Sequence, residues 1–533
     1  MSLQRSLTGR RAACLAPWLL ALAACSPSEP EAPEAPDTPE PDAIETPAPP
    51  ETPTVAELAV RLVDAMGGRA ALEVVETITL RGDGTRTRMG QIAATGAEDG
   101  LGELKAVTET IDLKSGRAAF DYDVVNGDFM QHRTEVLTSF EGKPVGWNTG
   151  PNRPAVATSP NGIFSWATQN SPEWLLRRNA VTVALAAAAT AQPVPAEPRP
   201  FDGRASLYGT ARLPSGEELG LFFDGATGLL NGFTALDTET MLGDVAAQYA
   251  FGDYGTESGI ALPHSVTITK QDRAYSSIDY TSIAVNAPAA ARVFALPEAA
   301  AAQARDVVAA PGPWAPLTWN RVAPNVYHAV GYSHHSMVVE FPTFVAVVEA
   351  PYSEAQSATL TRLVAREIGK PIRYVVPTHP HYDHTGGVRT LAASGATVVV
   401  ARGHEGELRE LLDAPHTNPP DELARRRAAG ETVGGLEVFD GMRVIEEVSQ
   451  RLVLYEVATI PHVRPMTLAY VPSARVLFQS DLFFGAPGAD ATALHAAIRE
   501  RDLSVATIVG GHGGVLPFTA LATAAAGAPR PPR

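Results

Sequence analysis

The segment VVPTHPHYDHTGG, residues 375–387, decides the fold of the second half of this chain. Val375 and Val376 predict a buried β-strand, and Pro377 ends it because proline has no N–H to give to a sheet. The following residues therefore form a loop at the carboxyl end of a strand, where α/β proteins usually build their sites. Histidine and aspartate crowd into that loop, and neutral imidazole and carboxylate are ligands that Zn²⁺ and neighbouring divalent metals accept.

The spacing within this loop suggests two metal positions. In extended backbone His379 and His381 point to the same side, so both imidazoles can reach one cation. Asp383 and His384 follow on a predicted turn and can face a second cation beside the first. The alternative is a polar loop in which these side chains are separately solvated.

Strands and helices alternate around the loop. The runs HSMVVEF, FVAVVEAP, IRYVVPT and ATVVVAR predict strands, and residues 354–368 predict a helix between two of them. This alternation is typical of an α/β architecture with buried strands. We expect it to extend from residue 316 to residue 533.

The motif THPHYDHTGG resembles the H-x-H-x-D-H signature of the metallo-β-lactamase superfamily of dinuclear metallohydrolases. That family also has a third histidine near a strand end, then a bridging aspartate, and a last histidine near the C-terminus. His462, Asp481 and His512 stand in those places. The resemblance implies an αββα sandwich over residues 316–533.

The resemblance also implies two bound divalent metal ions, zinc in the first instance, with manganese or iron as alternatives. The ligands of the first metal would be His379, His381 and His462. The ligands of the second metal would be Asp383, His384 and His512, and Asp481 would bridge the two. Pro461 and Ser480 replace glycines that the family usually has before its third histidine and its bridging aspartate, so the local backbone is expected to differ.

Five further residues are candidates for the site. Tyr382, inside the ligand loop, could hydrogen-bond a developing oxyanion or simply pack. His416 could lie on a loop over the site and touch substrate. Glu349 ends a predicted strand, where a carboxylate would orient a ligand histidine. His334 and His335 belong to an early strand that approaches the site in this family, and they either support it or are solvated.

The reaction implied is metal-dependent hydrolysis of a small molecule, with Asp383 or Asp481 orienting the attacking water and passing its proton on. In this family the true β-lactamases carry Cys or Ser at the bridging place, whereas glyoxalase II, the lactonases, the phosphodiesterases and the alkylsulfatases carry Asp. Asp481 therefore favours a small ester, lactone, thioester or related substrate, with β-lactams as a further alternative.

Residues 55–297 predict a separate, mainly β domain, because short alternating runs are separated there by Gly, Asp, Asn and Pro. The segment FGDYGTESGIALPHSVTIT resembles the half-barrel domains of periplasmic lipoprotein carriers of the LolA type. This leaves a second function open, in which an envelope lipoprotein binds a hydrophobic ligand or partner and the metal domain is vestigial.

Residues 1–25 predict a secretory signal, since an apolar run over residues 12–24 follows several arginines. The run ends at Cys25 in a sequence, LAAC, that resembles the bacterial lipobox, in which the cysteine is lipidated. Ser26 is similar to the pattern that sorts lipoproteins to the outer membrane. Residues 26–54 are rich in proline and acids and predict an extended linker. We therefore expect a lipid-anchored protein of the bacterial envelope that faces the periplasm.

The composition narrows the partners and the ligands. Hydrophobic residues make up 45% of the 533 residues and charged residues 19%, which indicates folded domains. A net charge of -17 provides no basic surface for nucleic acid. Cysteine occurs only as Cys14 and Cys25, so a mature chain that begins at Cys25 would draw its metal ligands from His, Asp and Glu.

Overall fold

A computed structural model of the chain describes residues 52–88, 91, 100–126, 129–150, 154–160, 172–287 and 292–527. The predicted signal peptide, the lipidation site Cys25 and the linker up to residue 51 lie outside these residues. Thr52–Arg533 forms one compact unit. The predicted boundary between two domains, near residues 297–316, stays a prediction.

The first part of this unit is an antiparallel sheet of 13 strands. Its strands are β1 (Thr77–Arg88), β2 (Gly100–Asp112), β3 (Arg117–Asn126), β4 (Phe129–Phe140), β5 (Lys143–Thr149), β6 (Val156–Thr158), β7 (Glu197–Pro198), β8 (Leu207–Arg212), β9 (Glu218–Phe223), β10 (Leu230–Glu239), β11 (Gly243–Glu257), β12 (Ile260–Lys270) and β13 (Arg273–Val285). Consecutive strands pair with one another except β6 and β7, which form the two edges, and β1 pairs with β13, which joins the two halves. The prediction of a mainly β region is confirmed.

Within the described residues, helices α1 (Val55–Ala65), α2 (Arg69–Glu73), α3 (Pro172–Arg178) and α4 (Ala180–Thr190) precede or interrupt the strands of this sheet along the chain. The first of them begins at a capping box, in which Thr54 and Glu57 satisfy each other's backbone N–H groups. Leu58 and Leu62 lie one turn apart on its apolar face, and both are buried in the core that the helices share with the sheet.

Charged side chains inside the sheet are paired. Arg178 donates to Asp237 and, over 2.7 Å, to the hydroxyl of Tyr249. The ammonium of Lys270, which is fully buried, lies 3.2 Å from Asp237. Such pairing is needed because an isolated buried charge is very costly.

The second part of the unit contains two further sheets. The chain reaches them through α5 (Glu298–Ala309). The seven-stranded sheet consists of β14 (Thr318–Ala323), β15 (Val326–Val330), β16 (His335–Glu340), β17 (Val345–Val348), β18 (Ile372–Val376), β19 (Thr397–Ala401) and β20 (Leu436–Phe439). The six-stranded sheet consists of β21 (Met442–Glu447), β22 (Gln450–Val457), β23 (Met466–Val471), β24 (Val476–Phe478), β25 (Thr507–Val509) and β26 (Val515–Pro517).

The two sheets pack face to face with helices outside them. Val347 and Val348 show this alternation, since Val348 enters the core between the sheets and Val347 enters the core beneath the outer helices. The helices are α6 (Glu354–Glu367), α7 (Tyr382–Thr385), α8 (Val388–Ala393), α9 (Glu405–Asp413), α10 (Glu422–Ala428), α11 (Ala489–Glu500) and α12 (Phe518–Gly527). The predicted αββα sandwich is confirmed.

The N-terminal sheet lies against this sandwich. Asp244 accepts hydrogen bonds from the backbone N–H of Thr417 over 2.9 Å and from its hydroxyl. Thr238 donates to the carbonyl of Asn418 over 2.8 Å. The turn between β10 and β11 is thereby tied to the loop that precedes α10.

Within the described ranges, no helix is both long enough and apolar enough to cross a membrane.

Candidate metal centre

The ligand loop follows β18, as predicted. His379 and His381 lie in the loop itself, with ring centroids 4.4 Å apart. Asp383 and His384, which the sequence placed on a turn, belong to the four-residue helix α7. The helical turn forms because the N–H of His384 bonds to the carbonyl of His381 over 3.0 Å.

The remaining predicted ligands come from loops of the other sheet. His462 lies between β22 and β23, Asp481 follows β24, and His512 follows β25. The strands β24 and β25 are parallel, so their carboxyl ends meet at one edge. The fold therefore brings all seven predicted ligands to one place.

The seven residues, together with His334, make up two of the three groups of potential ligands among the described residues, and the third group is Glu349, His379 and His384. In each group the ligand atoms lie within 4.8 Å of one another. The first group contains His379, His381, His462 and Asp481. The second group contains His334, Asp383, His384 and His512.

Asp481 belongs to the first group, but its carboxylate lies close to histidines of both groups. Its Oδ2 lies 3.2 Å from Nε2 of His462. Its Oδ1 lies 3.1 Å from Nε2 of His384 and 3.5 Å from Nε2 of His512. Each carboxylate oxygen therefore faces a different group, which is the arrangement that a bridging ligand needs.

The donor set fits divalent cations. Nε2 of His379 is buried and, among the described residues, makes no hydrogen bond, while Nε2 of His384 and of His462 faces a carboxylate oxygen of Asp481. Ligand atoms around a tetrahedral zinc ion stand about 3.3 Å apart, given bonds of roughly 2.0 Å. The separations of 3.1 to 3.5 Å around Asp481 match that spacing.

Comparison with known proteins agrees with this geometry. Residues 329–512 match the family model described as the Metallo-beta-lactamase superfamily. This part of the chain is a metallo-β-lactamase superfamily domain. The match includes all seven predicted ligands and ends at His512. Membership of this superfamily supports metal-dependent hydrolysis as the general class of reaction.

Solved structures similar to the chain include two bacterial enzymes. A metallo-beta-lactamase from Pontibacter korlensis is 18% identical, with 40% of this chain and 98% of that chain covered and a TM-score of 0.31. The metallo-beta-lactamase FIM-1 from Pseudomonas aeruginosa, in its mono-zinc form, is 19% identical, with 40% and 95% covered and a TM-score of 0.30.

Three predicted ligands have pKa shifts that suit metal binding, whereas at His384 and His462 burial lowers the pKa but Asp481 raises it above the ordinary value. Burial would raise the pKa of Asp481, but His384 and His512 lower it well below its usual range. Burial would also raise the pKa of Asp383, but His384 and His334 lower it well below its usual value. Burial and His384 lower the pKa of His379 well below the ordinary value. Ionised carboxylates and a neutral imidazole are the forms that bind metal.

Glu349 lies behind His384 at the end of β17. Its Oε2 is 2.9 Å from Nδ1 of His384. Its Oε1 accepts hydrogen bonds from the hydroxyls of Thr378 and Ser480. Glu349 is fully buried, so these contacts orient the His384 ring with little freedom.

The structure accounts for the two replaced glycines. Ser480 has a φ of +60°, in the left-handed region that favours glycine, and its hydroxyl bond to Glu349 helps to hold it there. Pro461 is exposed, so its ring meets solvent. The backbone N–H of His462 donates to Asp490 over 3.0 Å, which anchors the loop.

The other candidates divide into residues within the site and residues beside it. His334 joins the second group, with Nε2 2.9 Å from Oδ2 of Asp383. His335 is buried, and its N–H donates over 2.7 Å to the carbonyl of Gly511, next to His512. In this way His335 supports the loop rather than entering the ligand groups found in the described ranges.

Tyr382 and His416 stand apart from the ligand groups. Tyr382 is buried against Tyr352 and Met241, and burial together with Asp383 raises its pKa well above the usual value. His416 is buried beside Arg389, in the loop that contacts the N-terminal sheet. Neither belongs to a ligand group among the residues that the structure describes.

Sequence reasoning missed one residue of the site altogether. Nε2 of Gln91 lies 2.6 Å from Oδ1 of Asp383, although 292 positions separate the two residues. A single glutamine that follows a strand of the N-terminal sheet belongs to no local sequence motif. Only the packing of the N-terminal sheet on the metallo-β-lactamase domain brings it there.

Proposed function

We propose that this protein is a dinuclear metal-dependent hydrolase that acts on a small ester, lactone, thioester or related substrate at the cell envelope. The observation that carries the proposal is the placement of Asp481, whose two oxygens face two separate groups of histidines. All seven ligand positions hold a ligand side chain, whereas a vestigial site usually loses some. We take this completeness as support for activity.

The residues have defined roles in this proposal. The first metal would be held by His379, His381 and His462. The second would be held by Asp383, His384 and His512, with Asp481 shared. Two divalent ions, of which zinc suits the imidazole-rich set best and manganese or iron are alternatives, supply Lewis acidity that activates water near neutral pH and polarises a substrate oxygen.

The carboxylates of the site handle the proton. Asp383 and Asp481 face the same space and can accept a proton from the attacking water at a carboxylate oxygen. Glu349 keeps Nδ1 of His384 engaged, so that its Nε2 points into the site. His462 and His512 keep 26% and 21% of their side chains exposed, which leaves this side open to a substrate.

The substrate class is proposed from two features. The bridging position holds Asp481, as in the glyoxalase II, lactonase, phosphodiesterase and alkylsulfatase branches of the superfamily, rather than the Cys or Ser of its β-lactamases. Phe484 is 59% exposed, and its ring centroid lies 5.8 Å from that of His512. An exposed aromatic ring beside the ligands offers an apolar surface to part of the substrate.

The setting at the envelope is a further part of the proposal. It depends on the signal sequence and on lipidation of Cys25, with a linker that holds the folded unit away from the membrane. The acidic net charge of -17 argues against nucleic acid as a substrate.

The first test measures metal and hydrolysis in the full chain, purified in detergent. We expect about two equivalents of divalent metal per chain by plasma mass spectrometry, and turnover of at least one compound in a panel of nitrophenyl esters, lactones and thioesters. Asp481→Ala should lose bound metal and lower the rate by more than about a hundredfold, since even residues behind the ligands cost 10–100-fold.

The matched control is Asp413→Ala, which removes a carboxylate of the same domain that is 68% exposed. It should keep both metal and rate. A wild-type protein that is folded but free of metal would contradict the proposal, as would an Asp481→Ala variant that matches the wild type on every substrate.

The second candidate function is binding of a hydrophobic ligand. A cavity of about 120 Å³ inside the N-terminal sheet favours it, with a lining that includes Ile78, Phe120, Trp174 and Ile278. A full chain that copurifies with extractable lipid and hydrolyses nothing would make this function the leading one. Hydrolysis of a chromogenic cephalosporin would distinguish β-lactamase activity from both candidate functions.

A further inference from the structure

The N-terminal sheet reaches the candidate metal centre through Gln91. This residue follows β1, which ends at Arg88, and its side chain is half-buried. Its amide nitrogen donates to Oδ1 of Asp383 over 2.6 Å. A contact nearby comes from Met241, whose sulfur lies 3.2 Å from the hydroxyl of Thr385 in α7. The ligand helix α7 therefore contacts two residues, Gln91 and Met241, that lie next to strands of the N-terminal sheet.

The two oxygens of Asp383 have separate surroundings. Oδ2 lies 2.9 Å from Nε2 of His334 and 3.9 Å from Nε2 of His384, so it faces the second ligand group. Oδ1 faces Gln91. An amide N–H can donate to a carboxylate oxygen but cannot bind a cation, so this contact holds Asp383 without competing for the metal.

We propose that Gln91 is a positioning residue for Asp383, and that the N-terminal sheet thereby completes the second metal site. The inference rests on the proposed function, because it assumes that Asp383 is a metal ligand. It gives the N-terminal sheet a part in hydrolysis: the metallo-β-lactamase domain supplies the ligands, and the sheet fixes the orientation of one of them.

The physical reason is the freedom of the aspartate side chain. Without a partner at Oδ1, the carboxylate can rotate and carry Oδ2 away from His384 and His512. Partners behind metal ligands commonly change metal affinity by about 10–100-fold when they are removed. We expect an effect of that size at the second site, and an effect within about twofold at the first site, whose histidines Gln91 does not contact.

The experiment compares Co²⁺ binding by the full chain and its variants. Absorption titration and equilibrium dialysis give the two stepwise affinities, and circular dichroism monitors the fold. Gln91→Ala should bind the second Co²⁺ about 10–100-fold more weakly and the first as the wild type does. The matched control is Gln248→Ala, because Gln248 is a half-buried glutamine of the same sheet that donates to Asp272 over 3.3 Å.

A second variant protects the test against misfolding. Gln91→Glu keeps the shape of the side chain but replaces the donor by a charged acceptor that repels Asp383. It should weaken the second site at least as much as Gln91→Ala does. If either folded variant binds both ions with wild-type affinity, the role of Gln91 is overturned while the proposed function stands. If the wild type binds no Co²⁺, the proposed function fails and takes this inference with it.

Discussion

Glu349 has a φ of +64° and Tyr352 a φ of +75°, in the left-handed region that residues with a side chain rarely adopt. Together with Ser480, they surround the ligand helix. The surrounding contacts hold this strained backbone: the N–H of Glu349 donates to the carbonyl of Val376 over 2.8 Å, and the N–H of Tyr352 donates to the backbone carbonyl of Asp383 over 3.1 Å. Strained backbone of this kind is common at functional sites, where surrounding contacts stabilise a conformation that such residues otherwise rarely adopt.

Glu349→Gln tests the support behind His384. Glu349 accepts hydrogen bonds from three donors, so an amide NH₂ in its place must face at least one of them. We expect binding of the second metal to weaken by about 10–100-fold in a zinc competition titration.

The control for this prediction is Glu446→Gln, which changes a glutamate of the same domain that is 62% exposed. Its metal affinity should equal that of the wild type. Unchanged affinity in Glu349→Gln would show that His384 needs no carboxylate behind it.

At the level of elements, the strand β2 carries a carboxyl group into the interior of the N-terminal sheet. Glu109 is 5% exposed and accepts a hydrogen bond from the hydroxyl of Tyr280 over 2.9 Å. Burial raises its pKa from 4.5 to about 7, although the bond from Tyr280 opposes the shift. This strand therefore makes the stability of the sheet depend on pH.

The sign of that dependence follows from proton linkage. The folded state holds the proton of Glu109 more tightly than the unfolded state does, so its contribution is fully present below pH 4.5 and is lost as the pH rises through about 7. The loss amounts to about 3 kcal/mol for a shift of this size. Glu109→Gln should flatten the pH dependence of the free energy of unfolding between about pH 5 and 8, measured by urea denaturation.

Glu103→Gln provides the comparison, because Glu103 lies on the same strand and is 58% exposed. It should retain the wild-type slope. An equal slope in Glu109→Gln and the wild type would rule out Glu109 as the source.

Across the whole molecule, the N-terminal sheet and the metallo-β-lactamase domain belong to one compact unit. The contacts between them include Asp244 with Thr417 and Thr238 with Asn418. These contacts and that of Met241 with Thr385 all involve the segment around the turn between β10 and β11. Docking of the sheet is therefore expected to stabilise the ligand helix as well as the sheet itself.

Asp244→Ala tests this coupling. It removes the acceptor for both groups of Thr417, and hydrogen bonds to a charged group contribute about 1.5–3 kcal/mol. We expect a loss of about 1–2 kcal/mol in the free energy of unfolding, because the contact is partly exposed. The exposed Asp279→Ala on β13 should stay within about 0.5 kcal/mol of the wild type. A midpoint of thermal unfolding that Asp244→Ala leaves unchanged would mean that the contact does not couple the two parts.

Much of the metallo-β-lactamase domain could be predicted because its signals are local. Strand β18 and the ligand loop after it form one continuous stretch of sequence. Alternating apolar residues report a half-buried strand without knowledge of its neighbours. The lipid anchor, the domain boundaries and the individual ligand assignments stay predictions.

The amino-acid sequence alone predicted the α/β and mainly β parts of the chain, since periodicity depends on residues close together. The αββα sandwich and the seven candidate ligands were implied by the resemblance to the metallo-β-lactamase superfamily. The sequence named His334 only as a candidate beside the site, and it gave no indication of Gln91. His334 precedes β16 and enters the second ligand group, and Gln91 follows β1 and meets Asp383 across 292 positions. Contacts between distant segments depend on packing and strand register, which no local pattern encodes.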